Sequence, residues 1–152
     1  MPTYPNQIQD PTFGRLRLFG RFDDSTAAYN GKTTLWDRRI GLTLNTDSHG
    51  DLALAAKLAK RFCKGTKSSR ARIDAYIKQH VLPAVNRMRE FDDLAPIDLE
   101  KLHKTLKVYS MEAYSDGEIY LWYKTGRVVP GDHDLKILGD ALGQIAEFEF
   151  IG

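Results

Sequence analysis

Apolar and polar positions alternate near both ends of the chain and follow helical spacing between them. In residues 13–19, Phe13, Arg15, Arg17 and Phe19 share one side, with Leu16 and Leu18 on the other, the period of a strand. A second strand is expected from Ser25 to Tyr29. Asn30-Gly31 then marks a hairpin turn, because both residue types tolerate positive φ, and Lys32 to Trp36 forms the returning strand. Ile40, Leu42 and Leu44 alternate with Gly41, Thr43 and Asn45 in another strand, before turn chemistry from Thr46 to Gly50.

The period changes at Asp51. Leu52, Ala55, Ala56, Ala59, Phe62 and Cys63 trace one face of a helix that Gly65 ends. Thr66 or Ser68 caps a second helix with an inward stripe of Ile73, Tyr76, Ile77, His80, Val81, Ala84, Val85 and Met88. Pro83 falls inside this stripe and predicts a kink, since it removes a backbone donor. After a linker at residues 92–96, Asp98 caps a short third helix through Leu99, Leu102 and His103.

Strand periodicity returns over residues 107–114, 118–124, 134–138 and 146–151. Ile119, Leu121 and Tyr123 face one way while Tyr120 and Trp122 face the other, as in a central strand. The order of strands, helices and strands predicts an α+β fold. Its expected form is an antiparallel β-sheet of N-terminal and C-terminal strands, with two main helices and a short third helix packed on one face. Residues 1–11, polar and carrying Pro2 and Pro5, read as a flexible arm, and residues 12–152 as a single domain.

Composition narrows the function classes. A chain of 152 residues with 42% apolar and 28% charged positions has globular composition. Its one cysteine, Cys63, permits no internal disulfide and fits a reducing, cytoplasmic setting. No apolar run approaches the roughly 18–20 residues of a membrane span, and residues 1–10 lack the basic and apolar regions of a signal peptide. No membrane partner is expected.

Catalytic chemistry has no clear carrier. Cys63 lies on the apolar stripe of its helix and reads as a small buried hydrophobe. His49, His80, His103 and His133 are scattered, and the consecutive Asp132, His133 and Asp134 point alternately in a strand. The Asp23-Asp24 pair reads as solvated turn residues. Glycines fall in turns, with neither a dinucleotide fingerprint nor a P-loop. No catalytic residue, metal or cofactor is assigned.

Charge supplies the one unusual feature. Lys57, Lys60, Arg61, Lys64, Lys67, Arg70 and Arg72 occur without an intervening acidic residue, on a chain whose formal net charge is only +2. Such a patch suits an acidic protein surface, or nucleic acid. Nucleic acid is the weaker fit, because the nearby aromatics Phe62 and Tyr76 fall on the buried stripes. Tyr120 and Trp122, with Trp36, form a second candidate surface, although packing against the helices is the simpler reading.

Three stretches resemble a loosely defined family of bacterial domains of unknown function. They are Thr12-Phe13-Gly14-Arg15-Leu16, Leu82-Pro83-Ala84-Val85-Asn86, and Asp132 to Ile137 followed by Phe148-Glu149-Phe150-Ile151-Gly152. The sequence departs from the family pattern at Asp132, where the family has Gly, and at Pro83. Such domains resemble those encoded beside toxins of interbacterial competition. The resemblance implies a non-enzymatic immunity protein that neutralises a cognate toxin by occluding its active site. A nucleic-acid-associated domain using residues 57–72, and an enzyme with a site near His133 or His49, are the alternatives.

Overall fold

The computed structural model describes residues 4–22 and 26–152. Among the described residues, eight strands form one open sheet in chain order: β1 (Gln7–Asp10), β2 (Gly14–Arg21), β3 (Ala27–Leu35), β4 (Arg38–Asn45), β5 (Lys107–Ala113), β6 (Ile119–Lys124), β7 (Asp134–Gly139) and β8 (Ile145–Ile151). Between β4 and β5 come α1 (Ala53–Lys64), α2 (Thr66–Tyr76), a π-helical turn (Ile77–Val81), α3 (Leu82–Phe91) and α4 (Leu99–Thr105). Since α2, the π turn and α3 run on without a break, they form one long helix.

The antiparallel sheet expected from the sequence does not form. β4 and β5 are neighbours and run parallel, with Gly41 opposite Ser110 and Leu44 opposite Ala113. All other neighbouring pairs are antiparallel, so the sheet is mixed. The cause is the long helical segment, which sits inside the strand order and returns the chain to the end of the sheet where β4 began. A crossover of that length joins parallel strands. The helices therefore belong to one crossover over an eight-stranded open sheet, not to a layer laid over antiparallel half-sheets. Asn45 ties the far end of the parallel pair by donating from Nδ2 to the Ala113 carbonyl at 3.2 Å.

The first hairpins also depart from expectation. Part of the stretch read as an arm forms β1, and Asp10 Oδ1 accepts the amides of Thr12 and Phe13 to close the turn into β2. Residues 1–3 of that arm, the start of the second expected strand at Ser25, and the Asp23-Asp24 pair lie outside the described residues. Asn30-Gly31 is not a turn. It lies within β3, and a Cβ on Gly31 would stand 2.6 Å from Leu16 Cδ2 on the neighbouring strand. Glycine is used there for close approach, not for positive φ. The actual turn is Trp36-Asp37, where Leu35 pairs with Arg38.

Alternation then sorts the sheet into two faces. Leu16, Tyr29, Leu42, Leu44, Met111, Leu121, Leu135 and Ile137 form the buried side with Ala55, Ala59 and Phe62 of α1. The long helix adds Ile73, Ile77, Val81 and Val85, four residues apart. Tyr76, Ala84 and Met88 of the expected stripe are half-buried and His80 is exposed. Instead of a sharp kink, the π turn lies just before Pro83, where a proline ring would meet the carbonyl four residues back. Asp98 caps α4 as expected, accepting the Lys101 amide at 2.8 Å. No described helix is long and apolar enough to cross a membrane.

Candidate functional site

The run of cations does not form one patch. On α1, Lys57, Lys60, Arg61 and Lys64 recur at helical spacing on the side away from Ala55, Ala59 and Phe62. They line a shallow groove of about 510 Å³ with Gly65, Ala141 and Leu142, and no carboxylate is among the lining residues. Two of the four also serve the helix, because Arg61 and Lys64 lie in its last turn, where cations offset the exposed carbonyls.

The apolar rim of this groove is the β7–β8 turn. Gly143 has φ 76°, and a Cβ there would stand 2.7 Å from the Cα of Ser69. Only glycine lets the turn sit so close against the start of α2. Arg72 fixes the same turn by donating from Nη1 to the Leu142 carbonyl at 2.6 Å. Leu142 nonetheless remains 41% exposed.

Lys67 is exposed in the first turn of α2. Arg70 turns away from Arg72, because two helical residues advance about 200°. Its guanidinium lies 5.2 Å from the Trp36 ring centroid, in a separate cleft of about 420 Å³. That cleft gathers Asp74 of the same helix with Arg38, His103, Lys107 and Tyr123 from four other elements. No signal along the chain brings these residues together.

Tyr120 and Trp122 do not pack against the helices. Their neighbours Ile119, Leu121 and Tyr123 take the helix side, leaving these two half-buried on the opposite face. Trp36 is not with them, for it packs on the helix side beside Phe62, with ring centroids 6.5 Å apart. The opposite face is an internally paired network. Glu112 accepts from Trp122 Nε1 at 2.7 Å and from the Tyr114 hydroxyl at 3.2 Å. Tyr120 donates to Glu118 at 3.0 Å, and the Lys136 ammonium lies 4.3 Å from the Tyr120 ring centroid. Tyr109 donates to Asp134 at 2.6 Å, beside Lys124. Partial burial and the adjacent carboxylates push the phenols of Tyr109 and Tyr120 up to about 12.

Burial pushes the Cys63 thiol up, against a weaker opposing effect from the Thr33 hydroxyl 3.9 Å away. A thiol so placed is a poor nucleophile. His49 is exposed in the turn after β4. There Asp47 accepts the amides of His49 and Asp51, which lowers its carboxyl below the ordinary value. His133 packs against Gly131 and Gly152. Among the described residues, no group of three or more His, Cys, Asp or Glu side chains is placed to hold a metal.

The motifs behind the family resemblance have structural work. Phe13 is buried, and Gly14 adopts φ 73° at the start of β2. Asn86 bonds both backbone groups of Ile97, at 2.9 and 3.0 Å, pinning the linker before α4 onto α3. Comparison with curated proteins and with solved structures returned no match. The sequence profile of a family described as an uncharacterized protein conserved in bacteria (DUF2262) matches residues 10–150, and the chain belongs to that family.

Proposed function

We propose that this is a non-enzymatic binding protein that docks an acidic protein surface onto the α1 groove. Its most concrete form is a cytoplasmic immunity protein that covers the active site of a cognate bacterial toxin. The observation that carries the reading is the groove itself: four cations, no lining carboxylate, and an apolar rim at Ala141 and Leu142. Cations around an apolar contact suit a partner with carboxylates around an apolar anchor. Like-signed charge steers encounter with an acidic partner and rejects basic ones. No aromatic side chain lines the groove, so it offers no stacking platform for nucleic acid.

Co-purification and calorimetry with the product of the neighbouring gene test this reading, together with growth rescue on co-expression. Binding should weaken at least about tenfold in the Lys60→Glu, Lys64→Glu double variant, chiefly through slower association. No binding and no rescue would sink the toxin-partner reading. Low-salt binding of RNA or DNA that falls steeply with added salt would replace it with the nucleic-acid one.

A further inference from the structure

The β3–β4 hairpin contains an anomaly. Its two central residues are Trp36 at φ 51° and Asp37 at φ 63°. Two-residue turns with both residues left-handed favour Asn-Gly, and a bulky side chain there is an outlier. Strain of this kind persists where surrounding structure holds it and gathers at binding sites. Here it turns the indole inward, between Phe62 and the Arg70 guanidinium.

The Trp36 Nε1 is buried and has no hydrogen-bond partner among the described residues. The same holds for the hydroxyl of Tyr123, a residue only 4% exposed. Both side chains line the 420 Å³ cleft. Buried polar groups are nearly always paired, so two unpaired groups in one cleft need an explanation. Burial and the charge of Asp74 push the Tyr123 phenol well above its ordinary value, so it stays protonated and able to donate. Three cations, Arg38, Arg70 and Lys107, line the cleft with two carboxylates, Asp37 and Asp74, so these side chains sum to a net positive charge. His103 Nε2 lies 4.0 Å from Asp74 Oδ1. Leu35, Ile77, Leu106 and Val108 supply an apolar wall.

From this geometry we infer that the cleft binds a small organic acid. Its carboxylate pairs with the exposed Arg70 guanidinium, and a small shift of the cleft wall brings the covered Trp36 Nε1–H and Tyr123 hydroxyl within donating reach, while its apolar body lies against Ile77 and Val108. The volume falls in the lower part of the range for small-molecule sites and admits a one-ring or short branched acid. The cleft and the α1 groove share no lining residue, so either proposal can fail without the other.

The two tryptophans make the test direct. Each gives one indole N–H resonance, and that of Trp122 is already bonded to Glu112. The full chain, labelled with nitrogen-15, is titrated with benzoate, isobutyrate, their primary amides and inorganic phosphate. The Trp36 resonance should move saturably with a carboxylate and not with its amide, while that of Trp122 stays in place. Tyr123→Phe and Arg70→Gln should each weaken binding about tenfold or more, with the rest of the spectrum showing a folded chain. Absence of any carboxylate-dependent shift would overturn the site. Equal binding of the amides, or binding of phosphate alone, would overturn the ligand class. Unchanged affinity in both folded variants would overturn the assignment of the donors.

Discussion

The packing of β2 on β3 can be tested at a single contact. Gly31 lies in extended β3, and a methyl added there would stand 2.6 Å from Leu16 Cδ2. Carbon atoms rest at about 3.5–4.0 Å, so Leu16 would have to retreat by about 1 Å. It is 1% exposed, so its retreat must press on other buried side chains. Overpacking of this kind costs about 1–3 kcal/mol. Glycine in a strand itself costs about 0.5–1 kcal/mol, which alanine recovers. Gly31→Ala should therefore destabilise by about 1–2 kcal/mol. Leu16→Ala alone should cost about 2–5 kcal/mol through the cavity it leaves. In the double variant the new methyl enters that space, so the loss should fall short of the sum by about 1–2 kcal/mol. Urea unfolding followed by tryptophan fluorescence, with a shared m-value, measures all three. Effects that add to within about 0.5 kcal/mol would refute the contact and return Asn30-Gly31 to a turn remote from Leu16.

Two further outcomes follow from the same structure. Asp37→Gly should raise stability by up to about 1 kcal/mol in the same urea assay, because glycine removes the left-handed penalty at φ 63°. The tyrosines of the open face set an alkaline limit: Tyr109 and Tyr120 hold their protons to about 12 when folded, against 10.0 ordinarily. Unfolded chains ionise first, so this contribution is intact below pH 10 and is lost as pH rises from about 10 to about 12, and Tyr109→Phe or Tyr120→Phe should flatten that loss in a pH series of urea midpoints.

The open face also bears on where a partner can dock. Its aromatic donors are already used: Trp122, Tyr114, Tyr120 and Tyr109 each donate a hydrogen bond to a carboxylate of the same face. A ligand there would have to replace those bonds. The α1 groove asks for no such exchange, since its cations lie exposed beside Leu142. This difference is why the proposed docking surface is the groove.

Periodicity placed most elements because burial on one face writes a period into the chain. Ala55, Ala59 and Phe62 are legible as a stripe, as are Ile119, Leu121 and Tyr123. What stayed hidden has no local signature. The parallel register of β4 and β5 depends on where a helical segment inserts in the strand order. The basic run looks continuous in one dimension, yet helical rotation sends Arg72 to the Leu142 turn and Arg70 to the Trp36 cleft. The cleft draws residues from seven elements at once. Its one local sign was negative: in Trp36-Asp37 only Asp37 carries turn chemistry, whereas both residues of Asn30-Gly31 carry it, and the chain turns at the former. Where local preference and final structure disagree, the fold is carrying a cost that packing elsewhere offsets. At Gly31 the disagreement has a packing cause in Leu16. At Trp36 the packing on Phe62 leaves the indole N–H unpaired, so packing alone does not account for the strain. A bound acceptor would account for both the strained turn and the unpaired donor.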